Sequence, residues 1–301
     1  MKRRLLFLSL FCLGLLAACS AVDITPPSNP ENPDNPGDSE DFIKGGGVGL
    51  TEITVPGVPR PVPIAGSGTF FEFAGDFSAP SDPYAAIRDT CVVGSGGGTP
   101  TPPDPVPPPS GEPTSLDAGA SLSVKQGDSV YLELTKQGTN PISYVGSTPA
   151  SLPDAELTLD IPGAEFPAMS ASFGNVARFE LTGPTDKSAM TRDTTFTWTS
   201  SSAGVVLLTM SQSDATGSVN VFCFAADDGS FSFSAQTKAE LDAAGLSRMQ
   251  LNSGGRLVWR LEQKDDTFLS LTTVRTVGYS GANLEHLQFV QQHLLSSLLT
   301  Q

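Results

Sequence analysis

The chain has 301 residues, 16% of them charged, with 30 Gly, 25 Pro and a net charge of −15. A surface this acidic repels phosphate backbones and anionic headgroups at long range, which argues against nucleic-acid binding and polybasic membrane attachment. The abundance of Gly, Pro, Ser and Thr points to an exported β protein with little helix.

In chain order, Lys2, Arg3 and Arg4 form a positive cap, and Leu5 to Leu16 form an apolar run. A spanning helix needs about 20 apolar residues, so this shorter segment reads as a signal peptide over residues 1–18. The run ends in "LAAC", residues 16 to 19. That string resembles the lipobox of bacterial membrane lipoprotein precursors. The resemblance implies that the Cys19 thiol receives a diacylglycerol, that cleavage falls before it, and that the new amine is acylated, as with palmitate. Two or three chains, at about 0.8 kcal/mol per buried CH₂, hold a protein on a bilayer where one does not. Ser20 in place of Asp resembles the outer-membrane-sorted class, if the organism is diderm. Of 17 basic residues three precede Cys19, so a cut there leaves 14 against 32 acidic ones, a net charge of −18.

Residues 19–41 comprise the lipid anchor and a tether. "SAVDITPPSNPENPDNPGDSED" lacks apolar periodicity and cannot bury enough surface to offset its ordering entropy. The β domain is expected over 42–280. Its first part offers one clear strand, "GTFFEFA", with Phe71 and Phe73 in phase, and is too small to hold a core alone. The Pro/Gly-rich run at 94–113 then reads as a long surface loop within one domain, not a boundary between two.

Cys12 lies in the apolar run, and the lipoprotein resemblance assigns Cys19 to the anchor. Cys91 and Cys223 remain, and in an exported protein they have one pairing. In "SVNVFCFA" Cys223 is in phase with Val219 and Val221, which places it inward. A Cys91–Cys223 bridge would pin the early segment onto the core. It would close a long loop, credited with about 5 kcal/mol in the chain-entropy model.

From Thr114 to Tyr279 the pattern is period-two alternation. "SLSVK" aligns Leu122 and Val124; "VYLELT" aligns Val130, Leu132 and Leu134; "ELTLDI" aligns Leu157, Leu159 and Ile161. "ARFELT", "TFTWTS" and "GVVLLTMS" follow, with Phe179 and Leu181, then Phe196 and Trp198, on one face. "SVNVFCFA" and "SFSFSA" meet at Asp227-Asp228-Gly229, the chemistry of a hairpin turn with solvated carboxylates. A short helical piece, "TKAELDAAG", precedes "RLVWRLE", with Leu257, Trp259 and Leu261 in phase, and "TFLSLTTVRTV". This pattern predicts a mainly β fold, an antiparallel β-sandwich of Ig-like or fibronectin-like style. "DTTFTWT" is reminiscent of strands that bury a Trp in such folds. The whole arrangement is similar to uncharacterised exported bacterial lipoproteins with β-rich ectodomains, a similarity that brings no activity.

Residues 281–301 are expected to form a C-terminal amphipathic helix. Leu284, Leu287, Leu294 and Leu298 fall near helical spacing, with Phe289 widening the stripe. Three uses are open to this stripe: docking on its own domain, a surface for an envelope partner or self-association, or a place on a bilayer, which the absence of Lys and Arg disfavours.

No string carries catalytic chemistry. His286 and His293 are the only histidines, and seven residues put them two turns apart on a helix, too far to ligate one metal. The nucleophile motif G-x-S-x-G is missing; "GYSGA" fails at its last position. No cofactor fingerprint or calcium loop occurs. Paired carboxylates leave glycoside hydrolysis open on counting alone. Trp198 and Trp259 are each in phase with core residues, which argues against sugar-stacking platforms. The expected protein is therefore a lipid-anchored, non-enzymatic structural or binding module of the cell envelope. The alternative is a carbohydrate-binding or carbohydrate-hydrolysing envelope protein.

Overall fold

A computed structural model describes residues 42–57, 62–74, 84–85, 88–95, 113–201, 204–214 and 217–279. The expected signal peptide, Cys19 and the expected tether, residues 96–112 of the Pro-rich run, and the expected terminal stripe with Leu284, Leu287, Phe289, Leu294 and Leu298 lie outside them. The described chain is mainly β. Its early elements are β1 (Phe42–Thr54), β2 (Ile64–Ala74), β3 (Thr90–Ser95), β4 (Thr114–Ser115), β5 (Ser121–Gln126) and β6 (Ser129–Gln137). Then come β7 (Ser143–Thr148), β8 (Thr158–Ile161), β9 (Met169–Ser172), β10 (Leu181–Gly183) and β11 (Thr195–Trp198). The last are β12 (Val205–Asp214), β13 (Gly217–Ala226), β14 (Ser230–Ser232), α1 (Ala235–Ala243), β15 (Gln250–Lys264) and β16 (Thr267–Gly278).

Thirteen strands form one sheet, in the order β3-β13-β12-β15-β16-β1-β2-β7-β6-β5-β8-β9, with β4 pairing beside β2. A small second sheet runs β10-β11-β14. Neighbours are antiparallel except β1 and β16, which run parallel in the middle of the large sheet, Gly47 opposite Ser270.

The inward side of the large sheet carries two cores. In the first, Val48, Leu50, Phe70, Leu269 and Leu271 of the central strands meet Leu122, Leu132, Leu134 and Leu159 of the later ones. The sheet rolls to bring them together: a Cβ at Gly174, just past β9, would lie 2.4 Å from Val258 of β15. The second core is layered. Val206, Leu208 and Met210 of β12 and Val221, Cys223 and Ala225 of β13 pack against Phe196, Trp198, Phe231, Phe233 and Leu241. Leu241 belongs to α1, whose first turn is capped by the Ser234 hydroxyl accepting from Thr237 N at 3.1 Å.

Four elements differ from the sequence expectation. The Gly-rich stretch 45–49 forms the interior of β1, although Gly disfavours strands. Aromatic rings lie where its side chains would be: a Cβ at Gly45 would fall 2.4 Å from Phe268 and 2.6 Å from Phe71. β13 and β14 are not a hairpin, since β13 pairs with β12 and β3 while β14 pairs with β11 in the small sheet. Only the end of "ARFELT" is a strand, because the Arg178 carbonyl accepts from the Arg256 guanidinium. Val130 is 59% exposed despite its phase with Leu132 and Leu134, because the register with β5 shifts at Val124/Lys125.

Candidate functional site

The disulfide joins Cys91 and Cys223, which are register partners on β3 and β13 with Cα atoms 4.0 Å apart. Cys223 is fully buried in the second core, as its phase predicted. Of the two Trp side chains, Trp198 is buried there, while Trp259 is half-buried beside Tyr84 and donates to the Ser270 hydroxyl at 2.6 Å. Asp265 and Asp266 form the exposed turn between β15 and β16.

The charged chemistry of the interior centres on two arginines that the sequence did not single out. Arg256 of β15 and Arg275 of β16 are directly opposite in register, and both are almost fully buried, 2% and 3% exposed. Burying a guanidinium is costly unless its donors are matched.

Arg256 is matched from every side. Its Nε donates to Asp227 Oδ2 at 2.7 Å and its Nη2 to Asp227 Oδ1 at 3.2 Å, while the Arg178 and Thr199 carbonyls take its outer N–H groups. Trp198 Nε1 and the Ser201 hydroxyl donate to the same carboxylate. Asp227 was expected as a solvated turn residue; it is 4% exposed. Burial pushes its carboxyl up, but the hydrogen bonds from Arg256, Ser201 and Trp198 outweigh that and hold the pKa below the ordinary carboxylate value. The Asp227–Arg256 pair also explains the missing hairpin: the chain turns inward at Asp227 before it enters β14.

Arg275 is matched more loosely. Its Nη1 donates to Asp154 Oδ1 at 2.7 Å and its Nη2 to the Pro153 carbonyl at 3.0 Å and the Leu152 carbonyl. Its Nε stands 3.1 Å from Glu52 Oε2 without hydrogen-bond alignment. Glu52 Oε1 in turn accepts from Leu152 N at 3.2 Å, so both residues grip the β7–β8 connection. The hydrogen bond from Arg275 holds the exposed Asp154 below the usual carboxylate range. Beside it is a recess lined by Leu152, Leu157, Phe173, Thr273 and Arg275, with space for about one water molecule. The Thr273 hydroxyl is buried without a protein partner. The recess suits an ordered water; it is too small for a substrate.

A third polar cluster closes the end of the first core. The fully buried Tyr144 hydroxyl accepts from Ala118 N at 2.8 Å and points its proton between Asp117 Oδ1 and the Gly119 carbonyl. Burial pushes its pKa up to about 12. Lys136 donates to Asp117 Oδ2 at 2.7 Å and, with the backbone N–H of Gly119, lowers the Asp117 carboxyl.

Among the described residues no group of three or more His, Cys, Asp or Glu side chains is placed to hold a metal ion. No family model, curated protein or solved structure matches the chain. The three polar clusters spend their charges on one another and on backbone carbonyls, which is the chemistry of fixing strands and loops.

Proposed function

We propose that the chain is a lipid-anchored protein of the cell envelope, exported and held on a membrane through Cys19. In a diderm organism that membrane is the outer one. Its β domain acts there as a non-enzymatic structural or binding module. The observation that carries this reading is the Cys91–Cys223 disulfide, because such bonds persist in oxidising compartments outside the cytoplasm. The lipobox resemblance at residues 16–19 adds the anchor, and the inward use of Arg256 with Asp227 and of the Arg275 guanidinium to hold the β7–β8 connection supports a scaffold. Within it, the two layers over the second core serve as the sandwich of Ig-like style, β12 and β13 opposite β10, β11 and β14.

The test is Cys19→Ser, followed by membrane fractionation and labelling with radioactive palmitate. The expected result is an unlabelled protein that is either unprocessed or released from membranes. Continued labelling of the variant would remove Cys19 as the anchor.

A further inference from the structure

The Cys91–Cys223 bridge lies at one end of the large sheet, and its two sulfurs are not equally placed. Among the described residues β3 is the terminal strand there, pairing with β13 from Thr90 to Ser95. Its other substantial described neighbour is α1. Cys91 is half-buried, while Cys223 is fully buried and has Leu208 of β12, also fully buried, as its register partner on the side away from β3. Exchange begins when a thiolate attacks one sulfur of a disulfide, and access decides which one. The attack is in line with the S–S bond, from the far side of the atom attacked. Approach to Cys223 would have to come from over β12, where Leu208 stands. Approach to Cys91 comes from the end of the sheet.

The second core does not depend on β3. It is built from β12, β13, the small sheet and α1, and β3 adds only Cys91 and Val93, both partly buried. What β3 covers is the edge of β13. From Gly217 to Ala226 that strand has no charged residue and no Pro, the devices by which an open edge avoids pairing with other strands. β13 is thus composed as an interior strand, and β3 is the strand that closes it.

We propose that the bridge is a redox latch: a dithiol reductant opens it from the Cys91 side, β3 detaches, and the β13 edge is uncovered while the rest of the fold stays closed. The reductant's thiolate bonds to Cys91 Sγ, the S–S bond breaks, and its electron pair leaves with Cys223 Sγ. Cys223 takes up a proton and stays in the apolar core as a neutral thiol. The second thiol of the reductant then displaces Cys91 from the mixed disulfide. The reductant ends as its own disulfide, oxidised by two electrons, and its two protons end on the two cysteines.

The test uses the isolated full chain without denaturant. With glutathione, a monothiol, the mixed disulfide should form on Cys91, read by peptide mass mapping after acid quenching. An adduct on Cys223, or none while the chain stays folded, would overturn the proposal. With dithiothreitol, hydrogen exchange of the reduced chain is compared with that of the oxidised one. In an interior antiparallel strand alternate amides bond to each neighbour, so about half of the amides in Val219–Phe224 should lose protection. Those bonded to β12, and the peptides of β2 and β15, should keep theirs. Unchanged protection of β13 would mean that β3 holds without the bridge, and added loss in β2 would mean that the whole domain opens; either result overturns the latch. Neither readout depends on an anchor at Cys19, so the outcome is separate from that of the proposed function.

Discussion

Arg256 and Arg275 begin as equals, opposite each other in register, on one face of the sheet and almost fully buried, yet they end in different surroundings. The carboxylate that meets Arg256 is itself buried and takes four hydrogen bonds, so neither partner has water to fall back on. The Asp154 side chain that meets Arg275 is 69% exposed, so one half of that ion pair is always hydrated. Burial of the partner, not of the arginine, decides how much depends on the pair. The same asymmetry holds for the regions around them. The second core closes on a buried ion pair and a disulfide; the first closes on loop contacts that reach the surface.

The sharpest way to break the comparison is Asp227→Ala. Leaving Arg256 buried without its carboxylate should cost about 3–5 kcal/mol in urea unfolding. Adding Arg256→Met should recover part of that loss, since an apolar side chain needs no partner. An unchanged midpoint for Asp227→Ala would mean that the network is dispensable. Next in size is Cys91→Ala with Cys223→Ala, expected to cost about 2–5 kcal/mol. Native-state hydrogen exchange should show the loss first in β3 and β13, and equal loosening of both cores would blur the regional contrast.

A pH titration separates the clusters. Asp227 has a lowered pKa in the folded protein, so its contribution is fully present above the ordinary carboxylate range and disappears as pH falls through the depressed value. Asp227→Asn should flatten the acid limb of the stability curve. Tyr144 is displaced upward to about 12, so its contribution holds below about pH 10 and is lost as pH climbs towards 12. Tyr144→Phe should remove that alkaline slope, and an unaltered slope would assign it elsewhere. The smallest effect belongs to Asp154→Ala, which should leave the unfolding midpoint unmoved, because water takes the place of the lost oxygen.

The legible part of the fold was the part with alternating side chains. Leu122, Val124, Leu132, Leu134, Leu159, Phe196 and Trp198 reach the cores as their spacing indicates, and Cys91 meets Cys223. β1 was not legible, because Gly45 and Gly46 contribute no pattern of their own and owe their place to rings of Phe70, Phe71 and Phe268 from other strands. The buried arginines were hidden for a related reason. Arg256 and Arg275 interrupt apolar strands as any solvated residue would, and their carboxylates are distant in sequence: Asp227 is 29 residues from Arg256 and Asp154 is 121 from Arg275. Asp227 also carried a false signal, since Asp-Asp-Gly reads as a surface turn when the fate of the first Asp is unknown.

The parallel pairing of β1 with β16 sets the order in which this molecule is made. Lys44 lies opposite Thr267, so the first of the described strands is flanked by the last of them. Pairings of such high contact order form late and slowly, after the entropy of closing most of the chain has been met. A nascent chain therefore carries β1 with one side unpaired until β16 is complete, and the rolled core, which needs Val48, Leu50, Leu269 and Leu271 together, cannot shut before then. Among the described strands the sheet is a clasp whose tongue, β16, is supplied last.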